Sequence, residues 1–310
     1  MALQYDEIGQ RLRAFRLGSG LSADEVADRL GISRTALYRF EKGELAKIET
    51  LERLSELLQV SLPTLLGVGV EYISSAVAYF ERVRQLEESA EHIVVLSGPI
   101  SFLLGSDNFE MTLEHVLRES IPDDLANRSK ALADVERIME ILHQRKRTYR
   151  TLRTPIVNLI SAMQIQPFLN NGMVGRVDLT ERQKAMRREI ARAEIEHFAT
   201  VIEEESIGVQ IGLVTDSLPH TGFQIFRRRA GDTLMISPFR LGEQPNIRNG
   251  VAMATSAPEA LATHENVVKE AWRTAIKGPA AADYLRKLVA ESQNAGRKPA
   301  WERPANDTRY

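Results

Sequence analysis

A chain of 310 residues with 43% hydrophobic content has the length of about two domains and enough apolar material for ordinary cores. It contains no cysteine, which excludes a disulfide framework and thiolate metal sites. No apolar run of about 18 residues and no charged-then-apolar leader marks a membrane span or a secretory signal, so a cytoplasmic location is expected. The net charge of −2 excludes a protein that holds nucleic acid by bulk positive charge.

The first organised stretch runs from Gly20 to Gly43, GLSADEVADRLGISRTALYRFEKG, and has the pattern of two short helices joined by a tight turn. Val26, Ala27 and Leu30 form an apolar face, Gly31 supplies the left-handed residue that ends the first helix, Ile32 plugs the gap and Ser33 caps the second. Leu37 and Phe40 point inward from the second helix. Arg34, Thr35, Tyr38, Arg39 and Lys42 are left on its outer face, where a helix in a major groove needs donors for base edges and phosphates. The competing reading is a helical hairpin with a solvated, charged second helix.

The flanks favour the first reading. Ile8 to Gly67 carries IGQRLRAFRLGSGLS, EVADRLGIS, ALYRFEKGE and TLERLSELLQVSLPTLLG, and so resembles the five-helix, lambda-repressor-like DNA-binding domain of Cro/CI-type (XRE) regulators. The resemblance implies that Arg16 pairs with Glu41 and ties the first helix to the end of the recognition helix. It implies base contacts from Arg34, Thr35 and Arg39, with Ser33, Tyr38 and Lys42 on or near the DNA backbone. Where the family commonly has a phosphate-binding Gln at the start of its second helix, this chain has Ala23, so that contact is lost or moved. Residues 1–68 carry nine Lys and Arg against ten Asp and Glu. Their cations are segregated onto the first and recognition helices, and weak non-specific affinity is expected, which a dimer would offset by doubling the contacts.

A helix is expected from near Glu71 to Glu88, with Ile73, Val77, Phe80, Val83 and Leu86 on one stripe. It could be a dimer seam or could pack on its own second domain. Ile93 to Pro99 reads as a strand ended by Gly98-Pro99. Helices follow around Leu113–Leu117 and Leu132–Leu142, with a third, shorter one from Ile156 to Met163. The second of these ends in HQRKRTYRTLR, whose Arg145, Lys146, Arg147, Arg150 and Arg153 form either a solvated helix end favoured by the dipole or an anion-binding patch. Residues 166–172 read as a turn-rich loop. Thr180 and Gln183 form a capping box at the head of a helix reaching about Glu205.

From Ile207 the period becomes extended. Strands are expected at 209–216, 223–229, 233–240 and 250–256, with LPHTG (218–222) and AGD (230–232) as hairpin-type connections. Ser256, Pro258 and Glu259 then read as the capped start of a helix with a buried face of Leu261, Val268, Trp272 and Ile276, stopped by Gly278-Pro279. A short helix around Tyr284–Leu288 precedes a polar, proline-containing tail expected to be disordered.

No glycine-rich phosphate loop, nucleophile elbow or H-E-x-x-H signature is present, and the six histidines show no metal-ligand spacing, so no catalysis, metal or cofactor is expected. The order of elements over roughly 90–278 looks like the phospholipase-D-like α/β sensor domains of some bacterial regulators. The catalytic H-x-K pattern of that family is missing, since Glu265 and Asn266 follow His264, and the resemblance therefore implies a binder. The candidate effector loop is SPFRLGEQPNIRNG, with Arg240, Glu243, Asn246 and Arg248 at a strand end. Its guanidinium groups suit a small anionic metabolite, or else fix the loop by pairing with its own acids.

The expected architecture is multidomain, α plus α/β. A helix-turn-helix DNA-binding domain occupies residues 1–68, a linker helix 69–90, a mixed α/β effector-binding and dimerisation domain 91–292 and a tail 293–310. The expected function is that of a homodimeric transcriptional regulator, more often a repressor, on a palindromic double-stranded DNA operator. A C-terminal domain that meets a protein partner, as in antitoxin or phage-type regulators, or a DNA-tethered enzyme, are the alternatives.

Overall fold

The computed structural model describes residues 5–297 apart from 45, 217 and 220, and side chains as far as 294. Five helices come first: α1 (Tyr5–Ser19), α2 (Ala23–Leu30), α3 (Arg34–Glu41), α4 (Ile48–Leu57) and α5 (Leu62–Leu66). Local chemistry sets their ends. Ser22 and Glu25 close a capping box on α2, Gly31 ends it at φ +66°, and the Ser33 hydroxyl accepts the Ala36 N–H at the start of α3. Leu12, Val26, Leu37, Leu54 and Leu65 fill the centre of this head.

The rest of the chain is built on one eight-stranded mixed sheet. Its strands are β1 (Val70–Ile73), β2 (Ala90–Leu96), β3 (Ile156–Ser161), β4 (Val209–Val214), β5 (Gly222–Arg228), β6 (Thr233–Ser237), β7 (Ala252–Thr255) and β8 (Ile276–Lys277), in the spatial order β1-β7-β6-β5-β2-β3-β4-β8. β2, β3 and β4 are parallel and every other neighbouring pair is antiparallel. The helices are α6 (Ala76–Glu88), α7 (Asp107–Glu119), α8 (Arg128–Leu152), α9 (Ala162–Asn171), α10 (Glu181–Glu203), α11 (Pro258–Thr274) and α12 (Pro279–Arg297). On one face of the sheet Ile93, Val95, Ile156, Ile160 and Met235 join the helical layer of α6, α8, α9 and α10, in a core that runs without a break into the head. On the other face α11 covers Val94, Leu96, Leu159, Phe223 and Leu234 with Leu261 and Ala271.

Several expectations are corrected. The helix expected from Glu71 begins only at Ala76, because Gly69 at φ +84° breaks the chain and Val70–Ile73 pairs with β7, Tyr72 opposite Met253. The segment 69–90 is therefore no linker: α6 is buried on every side, its Glu81, Arg82, Gln85 and Glu87 included. The helix expected over Ile156–Met163 is strand β3, and the loop expected at 166–172 lies mostly in α9, which holds Pro167 and ends at Gly172. A short apolar run has no period of its own, and burial on both sides of β3 decided its state.

LPHTG is not a hairpin, since β5 lies next to β2 and two strands separate it from β4. Ser256 makes no cap. Ala257 is the N-cap of α11, without a side-chain bond. The helix expected around Tyr284 extends over α12 to Arg297, so the tail expected from 293 begins inside a helix, and its residues 298–310 lie outside the described residues.

Candidate nucleic-acid interface and its junction with the sheet

Helix α3 owes its orientation to what it buries. Leu37 is fully buried and Phe40 is packed against the same core, which leaves Arg34, Thr35, Tyr38, Arg39 and Lys42 exposed on the opposite side. At the C-terminal end, Arg16 of α1 donates through Nε and Nη2 to the two carboxylate oxygens of Glu41, at 2.5 and 3.1 Å, with both residues buried. This bidentate pair fixes the end of α3 to α1. Ala23, at the head of α2, is 5% exposed and packs into the core.

The exposed cations are held by exchangeable partners. Arg34 Nη2 donates to the Tyr38 hydroxyl at 3.1 Å, its guanidinium lies 5.3 Å from the Tyr38 ring centroid, and Nη1 pairs with Asp24 at 3.2 Å. Arg39 Nε donates to Glu44 at 2.6 Å, and that hydrogen bond holds the Glu44 carboxyl below its ordinary pKa. Ser33 spends its hydroxyl on the cap, and Lys42 stands at the C-cap with its amine open to solvent. Asp24 and Glu44 went unnoticed in the sequence. The signal was available, since Glu44 lies five positions beyond Arg39 on the turn that follows the helix.

The junction between head and sheet is different in kind. Arg82 of α6 is completely buried and donates through Nε and Nη2 to Glu71, each at 3.2 Å, and through Nη1 to Gln85 at 2.8 Å. Arg11 of α1 pairs with the same Glu71 and with Glu7, and Arg228 of β5 pairs with Glu7 from the other side. Burial alone would raise the carboxyl pKa values of Glu7 and Glu71, but the arginines around them outweigh it and lower both. Gln85 Nε2 also donates to the Gln10 carbonyl at 3.0 Å. Close approach completes the contact: a Cβ on Gly18 would lie 2.7 Å from that of Ala78. No local pattern could reveal this cluster, whose members are scattered from position 7 to position 228.

The sheet carries a cleft of about 670 Å³ where β2 and β3 end and β5 begins. Tyr79 and Phe80 of α6 form part of its wall, and Arg240, Glu243 and Asn246 stand along it. Asn246 is occupied with its own loop, donating to the Pro238 and Asn249 carbonyls at 3.2 and 2.7 Å. Arg240 Nε donates to the Gln244 carbonyl at 2.9 Å, and Glu243 accepts from Asn171 at 2.5 Å. Arg248 is not in the cleft but in a second, smaller depression with Lys130 and Asp134. The four residues therefore do not converge, and neither arginine pairs with Glu243.

The basic run at 143–153 is likewise divided. Arg145 is buried in a bidentate pair with Glu87 at 2.8 and 2.7 Å, Lys146 is buried beside Glu110, and Arg147, Arg150 and Arg153 are exposed. Among the described residues no group of three or more His, Asp or Glu side chains could hold a metal ion.

Residues 7–66 match the family of helix-turn-helix domains. This match covers the five helices of the head, and residues 7–66 form a helix-turn-helix DNA-binding domain on that evidence. Comparison with curated proteins gave no match. No helix among the described residues is long and apolar enough to cross a membrane.

Proposed function

We propose that the chain is a DNA-binding transcriptional regulator of the XRE class, a repressor that acts as a homodimer on a palindromic operator. The observation that carries the reading is the outer face of α3, where Arg34, Thr35, Tyr38, Arg39 and Lys42 are exposed together and contribute nothing to the core. Arg34 and Arg39 reach bases, exchanging Asp24 and Glu44 for the DNA, while Lys42 serves the phosphates. Effector control is supported by α6, which meets the head through Arg82 with Glu7 and Gln85 with Gln10 and meets the cleft through Tyr79 and Phe80. A ligand that prefers one position of α6 would shift the head with it. The second domain is read as a binder and not as an enzyme, and its resemblance to phospholipase-D-like sensor domains rests on its order of elements.

The test is selection of bound duplexes from a random pool with the full chain, beside its mass by light scattering. An enriched two-fold-symmetric motif and a dimer are expected. A pool that stays random, or a monomer that binds a single half-site, overturns the operator model. The protein-partner alternative is favoured by one observation: on the outer face of the β1–β7 edge, Tyr72 is 58% exposed beside Met253, with Val251 nearby at 51%.

A further inference from the structure

The cleft at the end of β2 and β3 holds three polar groups that are unspent, beside others that are engaged. Ser101 and Ser161 are 3% and 5% exposed, line the cleft, and have side-chain hydroxyls with no hydrogen-bond partner among the described residues. Arg145, also 5% exposed, uses Nε and Nη2 on Glu87, and its Nη1 has no partner among the described residues. These groups open into the cleft, where water or a ligand is what satisfies them.

Ser161 is in addition the N-cap of α9, and it caps nothing. The first turn of that ten-residue helix, with Met163 and Gln164 on the cleft wall, turns free N–H groups and the positive end of the helix dipole toward the same space. The described lining holds two guanidinium groups, Arg145 and Arg240, against one carboxylate, Glu243, which is engaged by Asn171. Phe80 and Phe102 lie beside the Arg145 guanidinium, their ring centroids 5.9 and 5.4 Å from it, and with Phe239 they make up the apolar part of the lining. The position, at the carboxyl ends of parallel strands where the sheet changes to antiparallel pairing, is where open α/β sheets hold ligands.

We infer that the cleft binds the anionic head, a phosphate or a carboxylate, of a small organic metabolite. Ser101, Ser161, Arg145 Nη1 and the N-terminus of α9 hold the head, and the aromatic side receives the body. The volume, about 670 Å³, suits a whole metabolite rather than a lone ion. This deepens the effector reading and rests on it only for its regulatory meaning. An anion that draws on Arg145 competes with Glu87 of α6, the helix that holds the head.

The experiment titrates inorganic phosphate and, separately, malonate into the full-length protein by calorimetry, and repeats both with S161D, S101A and R248A. Asp is favoured at an N-cap position and at 161 places a carboxylate where the anion would sit, and the urea midpoint of the variant checks that its fold is kept while the site is lost. Saturable binding of phosphate or of malonate is expected, the tighter one naming the head group. It should weaken at least tenfold in S101A, vanish in S161D and be unchanged in R248A. No saturable binding of either anion, or binding that survives in S161D and is lost in R248A, overturns the site. Operator affinity measured with and without the bound anion separates the two readings: an anion site that leaves DNA binding untouched retains the ligand and removes its effector role.

Discussion

The outer face of α3 and the α1–α6 junction use the same two ingredients, arginine and carboxylate, to opposite ends. On α3 the side chains of Arg34 and Arg39 are 57% and 63% exposed and lean on the exposed acids Asp24 and Glu44. At the junction Arg82 and Glu71 are 1% and 6% exposed at the side chain and share each other with Arg11. An ion pair in water is worth little and is readily exchanged for a phosphate, whereas a buried one, once built, cannot lose a member without leaving an uncompensated charge. The first arrangement suits a surface that must change partners, the second a surface that must not.

The largest expected effect comes from breaking the buried set. Arg82→Ala leaves Glu71 facing one arginine fewer, and should cost about 3–5 kcal/mol of stability in urea unfolding. A loss below about 1 kcal/mol would put the junction in the same class as α3. Arg34→Ala and Arg39→Ala should instead leave the unfolding midpoint almost unchanged and weaken operator binding about tenfold to a hundredfold each, relaxing preference at one base position. Unaltered operator preference in both variants would remove them from the base-reading set.

Acid should separate the regions as well. The carboxyl pKa values of Glu7 and Glu71 are lowered in the folded protein from an ordinary 4.5. Their contribution to stability is therefore fully present above pH 4.5 and is lost as the pH falls through the lowered folded values. Urea midpoints between pH 7 and pH 3 should fall below about pH 4.5, and less steeply in Glu71→Gln. Next in size, Ser33→Ala removes the cap of α3 and should cost about 1 kcal/mol in the same assay. The smallest effect is a gain: Glu44→Gln frees Arg39 and should raise DNA affinity a few-fold at low salt, the difference fading as salt screens it.

The head was readable because its determinants are local. Ser33, Gly31 and the spacing of Val26, Leu30 and Leu37 act within one turn of the residues they order, and the same holds for the capping box of Thr180 and Gln183 on α10. β5, β6 and β7 were legible as extended runs, β5 and β6 joined by a short turn, while the partner of β4 was not, because nothing local to LPHTG says that the chain crosses two strands before it pairs again. For the site, the exposed side chains of α3 follow from helical period, but the division of Arg240, Glu243 and Asn246 from Arg248 required the loop to be folded.

By itself, then, the sequence determined which segments bear caps, turns and apolar stripes, and through them the DNA-binding head and the face it presents. Only the tertiary structure decided that Val70–Ile73 is a strand, that α6 is shared by head and cleft, and that Ser101, Ser161 and Arg145 meet around one space. Caps and periods act over three or four residues, whereas Glu7 meets Arg228 and Tyr72 meets Met253 only when distant segments are brought together, and no short window of sequence contains both partners.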